Sequence, residues 1–165
     1  MRSIVLIVHD VRSAHNVGSL FRLADGFGVT KMHLTGITPY PEAPNDKRLP
    51  HAAQRVGRQI HKTALGAENN LPWEHTATPQ SVIKRLKSED YQIIALEQTA
   101  KALPITEYKG KEPVALLVGN EINGLPPRLL QKADLHLQIP MLGVKESHNA
   151  AIAASIALYH LRFIV

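Results

Sequence analysis

Three polar clusters in this sequence carry residue types suited to holding a small polar ligand. The first is HDVRSAHNVGSLFRLAD, in which Asn16, Gly18 and Arg22 fall within about a turn and a half of helix. Arg22 lies six residues after Asn16 and four after Gly18, so all three can face the space above the C-terminal end of the first strand. Gly18 removes side-chain bulk where a backbone or a ligand approaches. Taken alone, the segment also reads as a capped helix with one surface Arg.

The second cluster follows the apolar run Ala115–Val118 and reads Gly119-Asn120-Glu121-Ile122-Asn123-Gly124-Leu125-Pro126. A strand running into Gly, an acid and a second Gly is a turn suited to the ligand-binding edge of an α/β sheet. Backbone groups near Gly119 can meet a nucleoside edge, and Glu121 can hold a hydroxyl or a cation. A plain turn before a Pro-started helix fits the same residues. The third cluster is IPMLGVKESHNAAIAASIALYHL, where Ser147 reads as the N-cap of the last helix with Asn149 in its first turn. A helix start offers free N–H donors to a polar ligand, and a capped core helix is the simpler alternative. Residues 150–158 are small and apolar nearly all round, which demands burial in the core or against a partner.

The elements that position these clusters alternate strand and helix. Ile4–Val8 is β-branched and apolar, as in a buried strand of a parallel sheet. The segment that begins Met1-Arg2 is too short an apolar stretch for a secretion signal and reads as this first strand. Val17, Leu20, Phe21, Leu23 and Ala24 recur at helical spacing, with Asn16 as N-cap and Gly28 after the end. Lys31–Leu34 is a second strand, and residues 36–50 form a long loop rich in Pro, Gly, Asn and Asp. Helices are expected at Ala52–Ile60 and Pro79–Lys87, the latter capped by Thr78. Strands are expected at Tyr91–Leu96, Val114–Val118 and Leu135–Ile139, and a closing helix at Ser147–Ile164. This order is that of an α/β domain, one unit over residues 1–165.

Composition narrows the functions. The chain has no cysteine, which excludes disulfides, a thiol nucleophile and a Cys-based zinc site, and fits a cytoplasmic setting. Nine histidines are present, but none stands at a tight metal-ligand spacing, so no metal is expected. No stretch approaches the roughly 18 apolar residues that span a membrane. A net charge of +5 without a basic tail is compatible with a polyanion held on a folded surface, and Lys47, Arg48, Arg55, Arg58 and Lys62 could form an RNA-backbone patch. No phosphate-binding loop or dinucleotide fingerprint occurs. Trp73 reads as a packed aromatic, and the run HKTALGAENNLPWEH has no chemical role assignable from its residues.

Occurring together and in this order, NVGSLFRLAD, LLVGNEINGLP and IPMLGVKESHNAAIAASIALYHL resemble the three motifs of the SpoU/TrmH family of SPOUT RNA methyltransferases, over essentially the whole chain. The resemblance implies a parallel-sheet α/β fold with flanking helices and a C-terminal trefoil knot, and a homodimer packed through the last helix. It implies methylation of a ribose 2′-hydroxyl of tRNA or rRNA with S-adenosylmethionine, held largely by backbone at Gly119, Ile139 and His148. Arg22 is then the catalytic residue, with Asn16, Glu121, Ser147 and Asn149 shaping the site. The family usually has Leu where this chain has His148. A fold retained as a non-catalytic RNA-binding module, or methylation of an RNA base, are the alternatives.

Overall fold

A computed structural model describes residues 3–110 and 113–165; Met1 and Arg2 of the opening segment lie outside them. Among the described residues, seven strands form one sheet: β1 (Ile4–His9), β2 (Lys31–Thr35), β3 (Trp73–Thr76), β4 (Gln92–Leu96), β5 (Leu103–Pro104), β6 (Val114–Val118) and β7 (Leu135–Gln138). Their order is β3-β2-β1-β6-β4-β7-β5, and each pairing is parallel. Ile4 stands opposite Val114 and Val5 opposite Lys31, so β1 and β6 lie at the centre. Both are buried along their full length, which explains their uninterrupted apolar runs.

The period of two along the central strands feeds two cores. Ile4, Leu6 and Val8 of β1 and Val114, Leu116 and Val118 of β6 face one layer of helices. Val5 and Ile7, with Ala115 and Leu117, face the other. The first layer holds α1 (Ala14–Gly26), α2 (Pro50–Ala64), α3 (Ala67–Asn70) and, after the chain has returned, the C-terminal helix. The second holds α4 (Gln80–Ser88) and α5 (Pro127–Leu130), which contribute Val82, Ile83, Leu86 and Leu129. Each fully buried Ile or Leu contributes about 1.5–3 kcal/mol, and the central strands carry most of them. The C-terminal helix, α6 (Ala150–Tyr159), runs on as a π-helical turn over His160–Ile164.

Several boundaries differ from the sequence reading. The N-cap of α1 is Ser13: its Oγ accepts the Asn16 N–H at 3.2 Å. A hydroxyl three residues upstream meets that orphan donor, so Asn16 sits inside the first turn and its amide is free for other partners. Gly28 does follow the helix end, at φ +64°. Helix α2 is longer than expected and begins on Pro50. Thr78 does not cap α4; its carbonyl accepts the Thr76 hydroxyl at 3.1 Å, and Pro79 precedes the helix. Ser147 is not the cap of α6. That position is Asn149, whose Oδ1 accepts from Ala151 N at 2.9 Å and Ile152 N at 3.4 Å.

The short β3 and α3 were not read from the sequence. Their run, HKTALGAENNLPWEH, is a helix-ending device. Leu65 and Gly66 adopt positive φ after α2, and the buried Glu68 turns back to accept from Gly66 N at 3.0 Å and pair with His61 Nδ1 at 2.6 Å. The chain then enters β3, where Trp73 packs edge-on to Phe21. The loop of residues 36–50 is likewise ordered by one side chain. Arg48 donates to the carbonyls of Tyr40 and Pro41 at 3.0 and 2.9 Å, pairs with Asp46, and lies 3.6 Å over the Tyr40 ring. Arg48 is therefore a structural clamp, while Lys47, Arg55, Arg58 and Lys62 stay exposed.

Candidate functional site

Parallel strands leave their carboxyl ends on one edge of the sheet, and in open α/β sheets that edge receives ligands. Here the ends of β4, β6 and β7, with the segment leading into α6, enclose a cleft of about 310 Å³. That volume is on the scale of small-molecule sites. Gly119, Glu121, Ile139, Ser147 and His148 all line it, so residues from the second and third sequence clusters meet there. Its walls mix apolar side chains such as Leu96 and Val118 with the polar turn of residues 119–124, a combination suited to a nucleoside carrying a polar tail.

The turn is built by Asn120. Its Oδ1 accepts from Ile122 N and Asn123 N, both at 2.9 Å, its carbonyl accepts from Gly124 N at 3.0 Å, and its Nδ2 donates to the Asp10 carbonyl at 2.8 Å. This Asx-type turn ties the 119–124 loop to the end of β1. Two glycines permit it. A Cβ on Gly119 would lie 2.8 Å from the Gly124 carbonyl carbon, and Gly124 itself has φ +63°. Asp10, at φ +54°, accepts Ile37 N at 2.9 Å, and buried His9 shares a 2.9 Å hydrogen bond with Thr35 Oγ1. These residues brace the floor from which α1 starts.

A relay that shares Glu121 with the cleft lining joins all three clusters. Glu121 accepts from Arg12 N at 3.0 Å, Ser13 N at 3.2 Å and Asn16 Nδ2 at 2.9 Å. Asn16 Oδ1 in turn accepts from Asn149 Nδ2 at 3.3 Å, while Asn149 caps α6. Partial burial would raise the Glu121 pKa, but the bonds from Arg12 N, Asn16 and Ser13 N outweigh it and hold the carboxyl below its ordinary value. Glu121 is thus a fixed anion that aligns the start of α1, and a poor proton acceptor at neutral pH.

Arg22 apart, the sequence-predicted residues fall into two groups that meet at Glu121. Asn16, Glu121 and Asn149 form the relay, and Gly119, Ile139, Ser147 and His148 border the cleft. Arg22 is exposed on α1 and makes no side-chain hydrogen bond or ion pair to any described residue, so its guanidinium is available to an incoming group. Gly18 serves a backbone rather than a ligand. A Cβ there would lie 2.2 Å from the Ile60 carbonyl oxygen of α2. Two contributors escape sequence reasoning: Asn120, and Glu97, which lines the cleft and whose Oε2 accepts from Leu125 N at 2.8 Å. The Asn-x-x-x-Gly spacing of the turn was a readable signal for the first; no local pattern announces the second. Among the described residues no group of three or more His, Asp or Glu is placed to hold a metal ion.

The chain matches the family model described as the SpoU rRNA Methylase family over residues 3–159. It is 34% identical over 160 residues to the 23S rRNA (guanosine(2553)-2′-O)-methyltransferase RlmP of Bacillus subtilis, covering 96% of this chain and 57% of that protein. It is 25% identical over 159 residues to the tRNA (guanosine(18)-2′-O)-methyltransferase of Escherichia coli, covering 94% and 61%. The chain therefore spans a little over half the length of these curated relatives. Among solved structures it resembles an AdoMet-bound rRNA methyltransferase from Sinorhizobium meliloti, with a TM-score of 0.82 at 24% identity over 100% of this chain and 58% of the other. On this fold, the three clusters joined at one sheet edge and a family match over nearly the whole length, the chain belongs to the SpoU rRNA methylase family.

Proposed function

We propose that residues 1–165 form the catalytic unit of a homodimeric cytoplasmic enzyme that methylates a ribose 2′-hydroxyl of tRNA or rRNA with S-adenosylmethionine. The observation that carries the reading is the Asn149–Asn16–Glu121 relay, which links all three motifs and shares Glu121 with the lining of the 310 Å³ cleft. The lining fits the methyl donor: backbone at Gly119, an apolar wall at Ile139 and a ring at His148 for the adenosine, with the polar loop for the amino-acid end. A C-terminal trefoil knot is part of this reading.

When bound, S-adenosylmethionine supplies a methyl group activated by its sulfonium. The protein must then hold a ribose oxygen in line with it and stabilise charge as the hydroxyl proton departs. A guanidinium is not a workable base in a protein; Arg22 instead orients the nucleotide and stabilises the developing alkoxide. Asn16, Ser147 and Asn149 set the direction of approach, and Glu121 holds Asn16 in register. Exposed Lys47, Arg55, Arg58 and Lys62 supply phosphate contacts. The intact Asn16/Arg22 and Ser147/Asn149 pairs favour ribose over base as acceptor.

A second copy of the chain covers the outer face of α6. Ile152, Ile156, Tyr159 and Phe163 fall on one stripe and are 54%, 38%, 52% and 61% exposed, while Ala151, Ala154, Ala157 and Leu158 fill the core. An apolar stripe of this kind marks a protein interface. Calorimetric titration with S-adenosylmethionine, followed by transfer of labelled methyl to total RNA, tests the assignment. One site per chain and label in RNA support it, and absence of donor binding overturns it.

A further inference from the structure

We infer that Glu97 makes the cleft prefer the positively charged methyl donor over its neutral product; this rests on the donor-site reading above. Glu97 follows β4 and lines the cleft, where no sequence motif marked it. Its carboxylate is fixed from two sides: Oε2 accepts from Leu125 N at 2.8 Å and Oε1 from Gln98 N at 3.2 Å. The loop has made room for it. A Cβ on Gly124 would lie 2.2 Å from Oε2, so the absence of a side chain there lets the carboxylate seat.

Among the described residues, the other half-buried or buried carboxylates have cationic or ionisable partners, except Glu121, whose oxygens are taken up by Arg12 N, Ser13 N and the Asn16 amide. Glu74 takes Lys31, Arg85 and His33, and Glu68 takes His61. Glu97 is half-buried yet makes no ion pair to any described residue. Holding Leu125 N requires only an oxygen acceptor, which an amide provides, so the loop contact alone does not call for a charge. A negative charge fixed in a partly desolvated cleft without a protein counter-ion favours a cationic ligand. The methyl donor has a sulfonium and an ammonium against one carboxylate, a net charge of +1. After the methyl leaves, the sulfur is a neutral thioether and the net charge is zero. The side chain that helps hold the donor thereby loses its hold on the product, which speeds exchange.

The test is calorimetry of purified chain, wild type and Glu97→Gln, with three ligands: S-adenosylmethionine, S-adenosylhomocysteine and sinefungin, which carries an amine in place of the methylsulfonium. Glu97→Gln is expected to weaken the donor and sinefungin about fivefold (about 1 kcal/mol) and the product less than twofold. In wild type the donor-to-product affinity ratio is expected to fall as salt rises, a check that needs no variant. An equal change for all three ligands, or none, together with a salt-independent ratio, overturns the inference and leaves the donor site standing. Failure of wild type to bind any of the three overturns the donor-site reading and this inference with it.

Discussion

Gly18→Ala probes the joint that sets α1, and with it Asn16 and Arg22, against the rest of the molecule. The added Cβ would lie 2.1 Å from Thr63 Oγ1, 2.2 Å from the Ile60 carbonyl oxygen and 3.1 Å from Ala64 N. Thr63 is already committed, donating to the His15 carbonyl at 2.8 Å. Relieving the contact with Ile60 requires α1 and α2 to separate by roughly 1 Å, which forfeits a quarter to a half of the dispersion energy across the gap. Overpacking against a backbone atom that cannot swing aside lies at or just above the usual range of roughly 1–3 kcal/mol, about 3–4 kcal/mol here. Alanine's better helix propensity returns about 1 kcal/mol. The net expectation is a loss of about 2–3 kcal/mol in urea unfolding with an unchanged m-value. Gly57→Ala, whose Cβ would find only Glu42 N at 3.7 Å, is the control and should stabilise by up to about 1 kcal/mol. Adding Thr63→Ala should recover less than half of the Gly18→Ala loss, because the carbonyl clash remains. A Gly18→Ala variant within about 0.5 kcal/mol of wild type would refute the packing account.

Arg22→Ala should lower kcat by at least about 100-fold while leaving the donor Kd within about twofold; retained turnover would remove Arg22 from the chemistry. His148→Leu should bind S-adenosylmethionine equally or more tightly, by up to about 1–2 kcal/mol from restored apolar contact, and a large loss would give the His a specific role. Ile156→Glu, placed mid-stripe on α6, should shift the protein from dimer to monomer on size-exclusion chromatography; an unchanged elution would place the interface elsewhere. Burial lowers the pKa of His33 to about 4, and hydrogen bonds from Lys31 and Arg85 outweigh the desolvation that would raise Glu74 and hold it at about 2. Both native values lie below the unfolded ones, so the unfolded chain binds more protons and stability falls as pH drops. His33 contributes between about 6.5 and 4 and Glu74 between about 4.5 and 2. Acid titration of the unfolding free energy of His33→Gln should show a shallower slope above pH 4.5 than wild type, and an identical slope would contradict the assignment.

Much of the fold was legible because its strands are buried on both faces and its helices are amphipathic. Ile4–Val8 and Val114–Val118 announce central parallel strands, and the Ala-rich run after Asn149 announces a helix with neighbours. What stayed hidden is short or depends on distant partners. Strand β3 holds four half-buried residues, and its pairing with β2 is set by α3 and the Glu68 turn rather than by local propensity. At α1 and α6 the capping assignments slipped for one reason: several polar residues at each helix start are competent caps, and only tertiary geometry chooses among them. Ser13 takes the cap of α1 because Asn16 is drawn to Glu121, over a hundred residues away in sequence. Asn149 takes that of α6 while donating to Asn16. The motif residues were visible as types and spacings; the relay that joins them was not. Glu97 was invisible, since a single acid after a strand carries no pattern until the 119–124 loop closes over it.

The most direct test of the central claim is the chemical identity of the product. The chain is incubated with methyl-labelled S-adenosylmethionine and total RNA, and the RNA is hydrolysed in alkali. A methylated ribose cannot form the 2′,3′-cyclic intermediate, so the account predicts label in alkali-stable dinucleotides that nuclease digestion converts to a 2′-O-methylnucleoside, and none with Arg22→Ala. Label recovered in a methylated base, or no label in RNA despite donor binding, would contradict it.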